Sequence, residues 1–182
     1  MPYRVTFVCT GNICRSPMAE HVLRSHVQKA GLDVVVDSSG TGSWHVTDPA
    51  DPRTVRTLRA HGYTCDHSAR QFKSAWFDDY DLVIALDRGH QRELSQLART
   101  DADRAKIRLL RSFDPQAGTD LSVVDPYYDD DEFEVVMELI EAAVPGLLAE
   151  IGAALGASEG PDRPEAASGI VSGAERGFAK DA

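Results

Sequence analysis

Near the start of the 182-residue chain, Cys9-Thr10-Gly11-Asn12-Ile13-Cys14-Arg15-Ser16 places an arginine six positions after a cysteine. If the loop between them turns its amides inward, they form an anion nest. A following helix N-terminus adds partial positive charge, and the Arg15 guanidinium can grip two oxygens bidentately. All three favour a dianion, and they favour the Cys9 thiolate, the nucleophilic form, over its thiol. A thiolate beneath a bound phosphorus is placed for in-line attack, giving a phosphocysteine that water then hydrolyses. The loop amides and Arg15 would bind the spreading charge of that transition state more tightly than the ground state. Spacing alone leaves a plainer alternative open, in which Cys9 is an ordinary buried cysteine and Arg15 a solvated first-turn residue.

The elements that must position this loop are readable around it. Val5-Thr6-Phe7-Val8-Cys9 is apolar and rich in β-branched residues, which predicts a buried strand ending at the cysteine. Ser16-Pro17 reads as an N-cap followed by proline at the first helical position. Met18, Val22, Leu23 and Val27 then share one helical face, and Gly31 stands where a C-terminal cap is expected. Strand, loop and helix together make a phosphate-binding unit.

Further along, strands are expected at Val34-Val35-Val36, Leu82 to Leu86 and Ile107 to Leu110, with helices from Arg53 to His61 and Gln91 to Ala98. A polar loop from Ser38 to Pro52 carries Trp44 and reads as a site wall. The turn-rich segment Phe113 to Tyr128, with Asp114-Pro115 and Asp125-Pro126, is a second functional-loop candidate. Phe133, Val136, Met137, Ile140 and Val144 follow helical spacing, continued by Leu147, Leu148, Ile151 and Leu155, and Pro145 is expected to kink or split that helix. From Ala157 to 182 almost no large apolar residue remains, which predicts a disordered tail behind a domain spanning 1–156. Strands alternating with helices imply a single α/β domain: an open, mainly parallel four-stranded sheet with helices on both faces and its ligand at the strands' C-terminal ends.

Composition bounds the partners. A hydrophobic share of 42% over 182 residues suits one well-buried domain, and a formal charge of -10 argues against nucleic acid or anionic lipid as the main ligand. No apolar run approaching the ~20 residues of a membrane helix, nor a signal peptide, is evident, so a cytoplasmic protein is expected. Cys9, Cys14 and Cys65 are an odd set, which fits a reducing compartment. His21, His26, His45, His61, His67 and His90 are scattered, and Cys65 with His67 lacks a second pair, so no metal pattern is completed.

The run VCTGNICRSPMAE from Val8 to Glu20 resembles the signature of low-molecular-weight protein tyrosine phosphatases of bacterial type. Further matches follow in the family's order: Asp37-Ser38-Ser39-Gly40-Thr41, Ala50-Asp51-Pro52-Arg53, His67-Ser68-Ala69-Arg70-Gln71, Ala85-Leu86-Asp87, Leu109 to Pro115 and Asp125-Pro126-Tyr127-Tyr128. The resemblance spans about residues 4 to 155. It implies that Cys9 is the nucleophile, that Arg15 clamps phosphate, and that Ser16 hydrogen-bonds the thiolate and helps it leave. Asn12 would hold the loop's shape through a network including Ser38 and His67. Asp125 would be the general acid, protonating the phenolate that leaves and then taking a proton from water; by itself Asp125-Pro126 reads as a turn. Thr10, Gly11, Ile13 and Cys14 would complete the phosphate loop, and Trp44, Tyr127 and Tyr128 would line a deep slot that reaches phosphotyrosine but not phosphoserine. The partners implied are tyrosine-phosphorylated proteins, met by a monomer with weak self-association at most, and the mechanism needs no cofactor.

Rival readings remain. Thioredoxin-linked arsenate reductases resemble the chain but need redox cysteines in the region of residues 77 to 90, which holds none. Protein-arginine phosphatases also resemble it and carry threonine where Ile13 stands. A phosphotyrosine-binding module without turnover is a third reading. Cys9 and Cys14 share one tight loop and are candidates for a reversible disulfide, while Cys65 reads as structural or incidental.

Overall fold

A computed structural model describes residues 1–158. Its strands are β1 (Tyr3–Cys9), β2 (Val34–Gly40), β3 (Leu82–Ala85) and β4 (Ile107–Leu109), and its helices are α1 (Arg15–Lys29), α2 (Pro52–Ala60), α3 (Arg88–Leu97), α4 (Asp101–Ala105) and α5 (Glu132–Ser158), with three short 3-10 turns between them. The sheet order is β2-β1-β3-β4 and every pairing is parallel. The expected α/β architecture holds.

Alternation along β1 divides the core in two. Val5, Phe7 and Cys9 face Met18, Val22 and Leu23 of α1, Leu58 of α2 and the Val136–Ile151 stripe of α5. Val8 faces the other way, joining Val83, Ala85, Leu94 of α3 and the ring cluster of Phe72, Phe77 and Tyr80. Each successive side chain points to the opposite face of a strand, so one short strand anchors helices on both sides. The order reverses between β1 and β3, and in such sheets the crevice at that reversal, beyond the strands' C-terminal ends, is where ligands sit. Cys9 ends β1 at that crevice.

Several boundaries differ from expectation for local reasons. Ser16 is not the cap of α1: Cys14 holds that position without a side-chain cap bond, and helix geometry starts at Arg15. The Ser16 hydroxyl is turned instead onto Cys9 Sγ. Strand β2 runs on to Gly40, past the expected end at Val36, because Asp37 to Gly40 continue the ladder opposite Thr6 to Cys9. Pro145 does not split α5. Ala143, Val144 and Leu147 on either side of it are buried in the same core, so both halves are fixed to one surface.

Helix α5 also corrects the membrane expectation. Glu132–Ala157 is long and apolar enough to cross a membrane by length and composition, with mean hydropathy 1.5. Its stripe of Phe133, Val136, Met137, Ile140, Val144, Leu147 and Ile151 instead packs into the core, as an amphipathic helix does. Ala157 and Ser158 belong to this helix; the rest of the expected tail lies outside the described residues.

Candidate active site

The Cys9–Arg15 loop is held from two directions. Thr41 N donates to Cys9 O at 2.8 Å and Gly42 N to Thr10 O at 2.9 Å, tying the loop to the end of β2. Asp51 N donates to Ile13 O at 2.8 Å from the start of α2. A Cβ on Gly40 would stand 2.5 Å from Thr10 O, so the loop lies directly on that glycine's backbone.

Asn12 is the loop's internal post. Its φ is 59°, the left-handed region that asparagine tolerates better than most residues. Its Nδ2 donates to Ser16 Oγ and Ser38 Oγ, both at 2.9 Å, and its Oδ1 accepts Arg70 N at 2.9 Å. His67 Nε2 donates to Asn12 O at 2.7 Å. Asn12, Ser16, Ser38 and His67 therefore lie beneath and behind the cavity rather than in its lining.

Two groups reach Cys9 Sγ: Ser16 Oγ at 2.9 Å, where either atom can carry the hydrogen, and Asn12 N, which donates at 3.3 Å. Hydrogen bonds to the charged form stabilise a thiolate. Cys14, in the same loop, meets a different environment. Burial first, then the negative charge of Asp51, pushes its thiol up to about 12, which keeps it protonated.

Arg15 is 4% exposed and cross-braced. Its Nη1 donates to Asp87 Oδ2 at 2.9 Å and Val123 O at 3.1 Å, and its Nη2 lies 3.2 Å from Asp125 Oδ2. The Asp87 carboxyl is held below its ordinary range. Burial opposes ionisation, but the His90 amide, His90 itself and the Arg15 charge outweigh it.

Above these groups opens a cavity of about 360 Å³ lined by Cys9, Thr10, Gly11, Ile13, Cys14, Arg15, Trp44, Asp125, Tyr127 and Tyr128, with His45 besides. The depth and the aromatic mouth go together: Trp44 is 75% and Tyr128 90% exposed, and the Tyr127 and Tyr128 rings meet edge to face at 5.0 Å. Arg53 ties this wall to α2 through Asp51 at 2.9 Å and Asp130 at 2.6 Å, with its guanidinium over the Tyr127 ring.

Sequence reasoning gave no role to Asp87, His90 or His45. Asp87 follows β3 at the topological reversal, and that position was its available signal. His90 Nε2 lies 2.8 Å from Thr10 Oγ1, a contact made across eighty positions that no local pattern encodes.

The chain is similar to known proteins in both sequence and fold. The sequence model of the low molecular weight phosphotyrosine protein phosphatase family matches residues 4–157. A low molecular weight protein-tyrosine-phosphatase of Streptomyces coelicolor is 59% identical over 155 residues, covering 83% of this chain and 94% of that protein. The crystal structure of YfkJ from Bacillus subtilis superposes with a TM-score of 0.78 at 36% identity, over 85% of this chain and 97% of that one. That of DARP, a Drosophila arginine phosphatase, does so with a TM-score of 0.75 at 34% identity, over 80% and 96%. With a matched model over most of its length and relatives this similar, the chain belongs to the low molecular weight phosphotyrosine protein phosphatase family.

Proposed function

We propose that the chain hydrolyses phosphotyrosine in proteins, with Cys9 as nucleophile, Arg15 as phosphate clamp and Asp125 as general acid and base. The observation that carries this reading is the convergence of Cys9, Arg15 and Asp125 on one cavity, with Arg15 3.2 Å from the Asp125 carboxylate. Cys9 Sγ attacks phosphorus in line while the bond to the phenolic oxygen breaks, and Asp125 gives its proton to that oxygen. Asp125, now a carboxylate, takes a proton from water, whose oxygen attacks the phosphocysteine. Phosphate forms and the thiolate leaves, received by the hydrogen bonds from Ser16 and Asn12 N. Arg15 and the loop amides hold the equatorial oxygens. Cys9 must begin and end each turnover reduced and unpaired with another sulfur, which fits a reducing compartment such as the cytoplasm.

Phosphoarginine is the second reading, favoured by the likeness to the Drosophila arginine phosphatase. Ile13 in the cavity wall supports tyrosine: its apolar side chain suits a flat ring and offers a guanidinium no hydrogen bond. Phosphate release from phosphotyrosine, phosphoserine and phosphoarginine peptides, measured for the native chain and Cys9→Ser under reducing conditions, tests both. Release from phosphotyrosine by the native chain alone is expected. A preference for phosphoarginine reverses the assignment, and binding without turnover sinks both.

A further inference from the structure

Trp44 is 75% exposed, yet its ring rests on backbone. A Cβ on Gly42 would stand 1.9 Å from Trp44 Cζ3, 2.3 Å from Cε3 and 2.9 Å from Cη2. All three atoms belong to the six-membered half of the indole, so that half fills the space a side chain at position 42 would take.

The backbone beneath the ring is pinned. Gly42 N donates to Thr10 O in the phosphate loop, and the Thr41 carbonyl accepts Gln71 Nε2 at 3.1 Å. Beyond Trp44 the chain closes on itself. Val46 N donates to Ser43 O at 3.3 Å and Asp48 N to His45 O at 2.8 Å, while Thr47, at φ 76°, donates its amide to Ala69 O at 2.8 Å. The indole is therefore placed relative to the cavity floor through Gly42 and Thr10. An exposed indole on a free loop would lose rotamer freedom when a substrate arrives; a seated one has already lost it.

We propose that Gly42 is a positioning residue for substrate recognition: its missing Cβ seats the Trp44 indole as a fixed wall for the ring of an aryl phosphate. Because Gly42 also bonds the phosphate loop, that wall stands at a set height above the bound phosphate. An aryl ester brings a ring to that height and an alkyl ester does not. The substrate class is taken from the phosphotyrosine reading, whereas the seat holds without it. Gly42 is not among the glycines of positive φ, so alanine brings no backbone strain there. Its methyl group must displace the ring, which already faces solvent and can swing out at little cost in packing. Gly42→Ala thus separates recognition from folding.

Three measurements on the full chain test it: turnover of a phosphotyrosine peptide, competitive inhibition by inorganic phosphate, and fluorescence anisotropy of Trp44. The last is read in a Trp76→Phe background, where Trp44 is the one indole left. Gly42→Ala should lower kcat/KM about two- to twelvefold, the range of one aromatic pair. Inhibition by phosphate should be unchanged, the anisotropy should fall as the ring is freed, and adding Gly42→Ala to Trp44→Ala should cost nothing more. Unchanged anisotropy, a loss that persists in the Trp44→Ala background, or an equal loss of phosphate inhibition overturns the proposal. If the native chain releases no phosphate from phosphotyrosine while alanine frees the indole, the phosphotyrosine reading fails and the seat stands. Should Gly42→Ala fail to fold, the native anisotropy decides: a freely rotating Trp44 overturns the seat and a fixed one supports it.

Discussion

Asn12→Ala is the substitution whose cost the structure sets most directly. It removes three hydrogen bonds, to Ser16, Ser38 and Arg70, each worth about 1 kcal/mol. It also places alanine at φ 59°, which adds about 1 kcal/mol. The sum is about 4 kcal/mol, a large share of the 5–15 kcal/mol typical of a domain, and corresponds to a fall in Tm of roughly 8–16 °C for a chain this size. Asn12→Gly loses the same bonds without the backbone penalty, so it should be about 1 kcal/mol less destabilised. Urea denaturation of the three proteins, with slopes checked for equality, measures both differences. A loss below about 1 kcal/mol in Asn12→Ala, or a glycine variant no more stable than the alanine one, would refute the view that this side chain and this φ hold the loop.

Other expectations can be checked alongside. Asp125→Asn should lower kcat by about 10²–10⁴ for a phenolic leaving group, and by less for an activated aryl phosphate; equal losses on both would remove Asp125 from proton transfer. Gly40→Ala, whose Cβ would meet Thr10 O at 2.5 Å, should cut turnover while leaving far-UV circular dichroism unchanged, and full activity would mean the loop does not rest there. Burial pushes His90 down to about 4. Its folded pKa lies below its unfolded one, so its contribution is intact above pH about 6.5 and is lost as pH falls towards about 4, on the order of 3 kcal/mol across that window. Stability of His90→Asn should vary less with pH over that range, and an unchanged slope assigns the acid sensitivity elsewhere.

How much the sequence disclosed depended on the range of the interactions involved. Strand β1, the loop and α1 were legible because apolar run, turn and helical face occupy consecutive residues. Gly31 was legible as a helix end, and it adopts positive φ, 65°. Ser16 was misread because capping propensity is local, whereas its hydroxyl is claimed by Cys9 and Asn12. The polar half of β2 was missed because Ser38 and Ser39 look like loop residues until their partners on β1 and α1 are known. Family resemblance supplied Asn12, Ser38, His67 and Asp125, whose grouping spans more than a hundred positions.

The alternation of β1 carries a consequence for how such a chain can change. Phe7 and Cys9 share one face while Val8 takes the other, and the ladder pairs Cys9 with Gly40. A single residue inserted or deleted within β1 inverts every side chain beyond it. The thiol would then point towards α3, away from Ser16 and the cavity, even if the sheet itself re-formed. Length in this strand is therefore under tighter constraint than composition: Val5 or Phe7 can be exchanged for another apolar residue at a cost in packing, but a frame of one is lethal to the chemistry. The segment from Pro115 to Leu121, which touches none of these pairings, should absorb the insertions that β1 cannot.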